Sequence, residues 1–164
     1  LRSDPAQRAP GGEEETGERY IRQGQLLHNL FSVIRTQDDI PSAIERLRFE
    51  GIIESAEQER QIKKLTEWAL NHPLVKEWYS GNWELYNECA IIYKEKGELQ
   101  TRRPDRVMMK DGKVVVVVDF KFGKKRTDYN KQVRDYMNLL SDMGYENIRG
   151  YLWYVFDNEF VEVK

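Results

Sequence analysis

Leu26, Leu27, Leu30, Phe31 and Ile34 recur at three- and four-residue intervals. That spacing makes one apolar stripe on a helix and predicts a first helix from about Tyr20 to Arg35. Asp38 or Asp39 is placed to cap a second helix, with Pro41 in its first turn, running to about Phe49. Gly51 stops it, Ser55 opens a third helix reaching Leu70, and HPLVKEWYS adds a short fourth. After Gly81 the apolar period becomes two. WELYNECAIIYKE, ELQTRRPDRVMM and KVVVVVDFK read as three strands joined by the turns KGE and KDG. Asp128 then caps a helix from about Tyr129 to Met143, ended by Gly144. IRGYLWYVF and EFVEV close the chain as a hairpin across Asp157-Asn158. The order is helices, β-β-β, helix, β-β. It predicts an α/β protein with a mixed central sheet and helices packed against it, not a run of repeated βαβ units.

Residues 1–19 combine Pro, Gly and Glu with almost nothing apolar and read as a disordered linker or tether. Residues 20–164 then form a single domain, helical over 20–80 and carrying the sheet over 82–164. Because the chain starts with Leu1 and not Met, it is expected to be a piece of a longer or processed protein. Apolar residues make up 40% and aromatics 12%, a balance that suits a folded globular chain. No apolar run reaches the roughly 18 residues of a membrane span. The net charge of −2 means that any nucleic-acid binding must come from a local patch. A single cysteine, Cys89, excludes an internal disulfide and a four-cysteine iron–sulfur cluster, and fits a reducing cytoplasm.

Candidate chemistry begins where the valine run ends. Val114 to Val118 read as a strand buried on both faces, yet Asp119 and Lys121 follow and point to one side of it. Asp105 sits in the preceding strand, inside RRPDR. If KDG is a three-residue loop, Met109 pairs with Lys113, and Asp105 shares a face with Asp119, diagonal to it. A two-residue loop would put the aspartates on opposite faces. Two carboxylates brought close need something positive between them, and a hard divalent cation such as magnesium satisfies both. Lys121 beside it could hold or deprotonate a water. A lone Asp-x-Lys is most often a surface ion pair, but this strand is too apolar for an exposed edge.

In this order, R-P-D-R followed by a hairpin and V-V-D-F-K-F-G resembles the core motif of the PD-(D/E)xK nuclease superfamily. The nearer resemblance is to the RecB-like nuclease domain at the end of UvrD/RecB-type helicase–nucleases. GQLLH (Gly24–His28) is similar to that branch's G-x-x-x-H, and QVRDY (Gln132–Tyr136) to its Q-x-x-x-Y. The resemblance covers about Tyr20 to Lys164 and implies a restriction-endonuclease-like core in β-β-β-α-β-β order with an N-terminal helical segment. It implies Asp105, Asp119 and His28 as ligands of Mg2+ or Mn2+, with the Phe120 backbone carbonyl and Glu88 as further ligands. It also implies Lys121 as the catalytic lysine, with Gln132 and Tyr136 orienting it or touching DNA. Relatives that carry an iron–sulfur cluster differ from this chain, which would be a cluster-free version.

Each residue has a plainer reading. A helix histidine is usually packed or exposed, Tyr136 lies on the apolar stripe of Tyr129, Val133 and Leu140, and Glu88 equally suits an exposed strand position. Arg102, Arg103 and Arg106 flank Asp105, and Lys124, Lys125 and Arg126 follow the site. Charge runs are ordinarily solvated loops, but around a carboxylate centre they are expected to grip phosphates independently of sequence. Trp78, Trp83 and Trp153 are expected to pack in the core or at its rim, not to stack bases. The resulting expectation is a metal-dependent deoxyribonuclease, an exonuclease acting on DNA ends or single strands. It would serve a helicase in the same polypeptide, or in a partner subunit, during recombination or repair. A catalytically weak DNA-binding or helicase-anchoring module of the same fold is the alternative. A site-specific restriction- or transposase-type enzyme is a third reading, and no base-reading element supports it.

Overall fold

The computed structural model describes residues 12–86 and 90–164. Four helices come first: α1 (Gly12–Val33), α2 (Ile40–Phe49), α3 (Ala56–Leu70) and α4 (Pro73–Trp78). Helix α1 therefore includes residues 12–19, which composition had grouped with the tether; an i,i+4 pair between Glu18 and Arg22 (3.3 Å) braces this exposed part. Asp39 occupies the N-cap position of α2 with Pro41 in the first turn, as expected, but its side chain does not cap that helix. Thr36 opens a 3-10 turn over Gln37–Asp39, and the Asp39 carboxylate accepts the backbone N–H groups of Arg35 (2.9 Å) and Thr36 (3.0 Å). Those N–H groups hold the Asp39 pKa below its ordinary value. Gly51, at φ 75°, ends α2, and Ser55 caps α3 as its sequence predicts.

Seven strands follow: β1 (Glu84–Leu85), β2 (Ile91–Glu95), β3 (Glu98–Arg102), β4 (Arg106–Lys110), β5 (Val114–Lys121), and after helix α5 (Asp128–Asp142), β6 (Asn147–Tyr154) and β7 (Glu159–Val163). Several sequence expectations change here. WELYNECAIIYKE is divided, its Glu84–Leu85 lying in the main sheet as β1 and its Ile91–Glu95 outside it as β2. ELQTRRPDRVMM is not one strand but two, broken at Arg103-Pro104-Asp105, because a proline cannot donate to a ladder. Strands β2 and β3 pair only with each other, apart from the main sheet. Thr127, not Asp128, occupies the cap position of α5; Asp128 is its first residue and pairs with Arg126 (3.1 Å).

The main sheet is mixed, in the order β1-β4-β5-β6-β7. Strand β5 lies at its centre, antiparallel to β4 and parallel to β6, with α5 as the crossover. One face of the sheet carries Met108, Val116, Val118, Phe120 and Trp153, buried with the stripes of α1 to α4. The other carries Val107, Val115, Val117 and Leu152 under Val133, Tyr136 and Leu140 of α5. Trp78 and Trp153 are buried and Trp83 nearly so, which agrees with core packing. Gly150 lets α5 sit close on β6, since a Cβ there would lie 2.5 Å from the Met137 sulfur and 2.7 Å from a Val133 methyl. Among the described residues, no helix is long and apolar enough to cross a membrane.

Candidate active site

The β4–β5 turn decides whether the two aspartates can meet. The loop is Asp111-Gly112-Lys113, three residues long, with Asp111 (φ 55°) and Gly112 (φ 65°) both left-handed. Its odd length keeps the expected parity, but the register is shifted by two from a Met109–Lys113 pairing: Lys110 pairs with Val114 and Arg106 with Val118. Continued by one residue, that register sets Asp105 directly across from Asp119. Continued by two, it sets Pro104 across from Phe120. A proline has no N–H to offer, so the ladder stops at Arg106–Val118. The Asp105 carboxylate takes over the vacated position and accepts the Phe120 N–H at 2.7 Å. The Phe120 carbonyl shares that strand edge with its N–H and so faces the same gap.

Six predicted residues then stand in one row. His28 of α1 meets Asp105 (Nε2 to Oδ1, 2.5 Å), and the strand register sets Asp119 beside Asp105, where the two carboxyls act on each other's acidity. Asp119 contacts the Lys121 ammonium (3.1 Å), which donates to the Gln132 side-chain oxygen (3.1 Å). The Gln132 amide in turn donates to the Tyr136 hydroxyl (3.3 Å). Gln132 and Tyr136 lie one turn apart on α5, so a single helix face supplies both. The Tyr129 ring, from the same face, lies 4.2 Å from the Lys121 nitrogen. The sequence reading placed Tyr129 only in the apolar stripe; its i,i+3 spacing to Gln132 was the signal for this second role.

The electrostatics of this line are set by burial. Asp119 is 3% exposed, and desolvation, followed by the nearby Asp105 charge, pushes its pKa up to about 7. Burial also acts upward on Asp105, but hydrogen bonds from His28, Asp119 and the Phe120 N–H outweigh it and hold Asp105 below the usual carboxylate value. The bond to Asp105, opposed by burial, raises the His28 pKa. Asp105 is thus the more acidic carboxyl of the two and Asp119 the less acidic. Desolvation, then the charge of Asp119, pushes Tyr136 up to about 12, so its hydroxyl stays protonated.

The arrangement fits a hard cation in donor chemistry: two carboxylates, an imidazole nitrogen and the edge that holds the Phe120 carbonyl. Among the described residues, no three of His, Cys, Asp and Glu stand as a ready-made metal cage. The imidazole is bonded to Asp105, and Asp119 is paired with Lys121. Glu88 lies outside the described residues.

The basic residues divide. Arg103, Lys124, Lys125 and Arg126 are exposed. Lys125 pairs with Glu159 and Arg126 with Asp128, surface contacts weak enough for a phosphate to compete with. Arg106 does not belong with them. It is 1% exposed, and its guanidinium donates to the carbonyls of Ile34 (2.6 Å), Trp78 (3.1 Å), Arg35 (3.2 Å) and Phe31 (3.4 Å) while lying 3.9 Å from the Tyr79 ring centre. These are the orphan carbonyls at the ends of α1 and α4. An arginine that is a surface residue by composition is here the bolt that holds α1, and with it His28, against the strand leading from Asp105. Arg102, at the rim, pairs with Asp135 (3.2 Å) and lies over the Tyr93 ring.

The chain matches no protein-family model, and no curated protein matches it.

Proposed function

We propose that the protein is a metal-dependent deoxyribonuclease domain with a restriction-endonuclease-like core, hydrolysing phosphodiester bonds. One observation carries the reading: His28, Asp105, Asp119, Lys121, Gln132 and Tyr136, chosen from four separate stretches of sequence, come together in one row at the ends of β4 and β5. Asp105 and Asp119, with His28 and the Phe120 carbonyl, would hold Mg2+ or Mn2+, which supplies Lewis acidity to the scissile phosphate and to an attacking water.

The chain's own residues have distinct tasks. Asp105, the more acidic carboxyl, and Asp119 would offer their oxygens to the cation. Lys121 orients the attacking water and offsets charge that develops on the phosphate oxygens. Gln132 accepts one of the lysine's N–H bonds, and Tyr136 accepts from Gln132, so α5 fixes where the ammonium points. Exposed Arg103, Lys124, Lys125 and Arg126 would hold the strand by its phosphates, without regard to sequence. DNA ends or single strands as substrate, a helicase in the same polypeptide and a cytoplasmic setting in repair or recombination belong to the same proposal.

Asp119→Ala and Lys121→Ala should each lower Mg2+-dependent degradation of labelled DNA by at least a hundredfold while leaving the urea midpoint of folding nearly unchanged. Undiminished cleavage would remove both residues from the mechanism. DNA binding that persists without metal and without turnover would favour the anchoring module instead.

A further inference from the structure

His28 reaches the aspartates from one side only; its other side opens into a groove of about 650 Å3 between α1 and the end of β5. Helix α1 contributes Ile21, Gly24, Gln25 and His28 at the spacing of a single stripe, and the facing wall is Phe122-Gly123. The lining is predominantly apolar and contains no carboxylate, lysine or arginine. Its aromatic wall is fixed: Phe122 meets the imidazole edge-on (6.4 Å between centres) and meets Phe156 at 5.6 Å. Gly24 brings α1 so near Phe122 that a Cβ would lie 3.2 Å from it, which keeps the groove floor flat. Asn29 is engaged with His28, whereas Gln25 is exposed at the rim.

A neutral slot with an aromatic wall and an amide at its mouth does not suit a phosphate. It suits a planar heterocycle that stacks on one face and hydrogen-bonds at one edge. Cationic Lys124 and Lys125 leave directly from Gly123, so a strand gripped there by its phosphates would have a base within reach of the slot. Building on the nuclease reading above, we propose that this groove is a base-binding subsite for one unpaired nucleotide next to the scissile phosphate. In it Phe122 stacks the base, Gln25 contacts its edge, and Ile21 closes the outer side. A paired base cannot leave its stack to enter without the cost of unpairing, so the groove selects single-stranded DNA or frayed ends.

The test uses the full chain and fluorescence anisotropy in metal-free buffer. The probes are a labelled single-stranded oligonucleotide, the same strand with one abasic nucleotide moved stepwise along it, and the corresponding duplex. The expected result is that one abasic position weakens binding about tenfold, the scale of one base–aromatic stack. Ile21→Glu and Gln25→Leu, both at exposed positions that leave folding intact, should weaken binding of the intact strand and erase that position dependence. Phe122→Leu should weaken stacking while keeping the groove filled. Binding that ignores the abasic position, or duplex bound as tightly as single strand, overturns the subsite while cleavage keeps the nuclease reading alive. Base-dependent binding without metal-dependent hydrolysis of DNA keeps the subsite and ends the nuclease reading. Self-association of the chain that Ile21→Glu abolishes would assign the groove to a second copy and also overturn the proposal.

Discussion

Strand β5 presents two faces that the same eight residues solve differently. Val116, Val118 and Phe120 point toward α1–α4 and end in a dense aromatic packing with Phe31 and Trp153. Val115 and Val117 point toward α5 and give way, one step further on, to Asp119 and Lys121. Both faces bury charge, but by opposite means. On the helical face Arg106 is held by carbonyl dipoles and an aromatic ring, a fixed and fully hydrogen-bonded arrangement. On the α5 face two carboxyls share one pocket, and burial and their mutual repulsion drive their acidities apart. The difference separates a charge used for holding from a charge held ready for exchange.

The strongest test of that contrast is to remove the bolt. Arg106→Met should cost about 3 kcal/mol or more, because several buried carbonyls lose their donors together. Urea unfolding gives the size, and loss of the His28–Asp105 contact should follow in the histidine NMR shifts.

Next comes the pH response of the metal-free chain. Asp119 and His28 both have raised pKa values, so their stabilising share is complete below their unfolded values, near 4 and 6.5, and is lost as pH rises through the folded ones. Asp105 is lowered, and its share is already in place above about pH 4. Stability in a chelating buffer should therefore fall between pH 5 and 8, by an amount on the order of a few kcal/mol. Asp119→Asn should flatten most of that slope; an unchanged slope would show that Asp119 does not set it.

On the α5 side, Gly150→Ala should cost about 1–3 kcal/mol through its clash with Val133. It should also lower turnover by shifting Gln132 away from Lys121, whereas folding loss alone would leave turnover per folded molecule unchanged. The smallest effect is a control remote from both faces. Asp39→Ala should cost about 1 kcal/mol through the lost cap and leave DNA cleavage unaltered.

Much of this organisation was legible from residue spacing. The helix stripes, the Ser55 cap, the Gly51 stop and the parity of the β4–β5 loop are local matters, decided by neighbours in sequence. Even the line from His28 to Tyr136 could be anticipated, because each member carries its chemistry in its own side chain. What escaped depends on distant partners. Nothing near Arg106 announces that the ends of two helices, more than seventy and nearly thirty residues away, will turn their carbonyls toward it. Thr36 and Asp39 share one reciprocal capping box around a 3-10 turn, and only the path of the chain shows that the Asp39 carboxylate turns back to it and not forward to α2. The detached hairpin of β2 and β3 was hidden because its alternation looks like that of the main sheet, and the break at Pro104 reads equally as a strand interruption or a strand edge.

That proline has a further meaning. Paired strands propagate like a zip, each bond placing the next donor and acceptor in range, and at the centre of a sheet nothing in the backbone itself says where to stop. Pro104 is the end-stop. It leaves two neighbouring strands side by side with no backbone bond over their last residues, and a side-chain carboxylate takes the place of the missing rung. A rung made by a side chain can be exchanged where a backbone rung cannot, while the sheet around it keeps the neighbouring groups aligned.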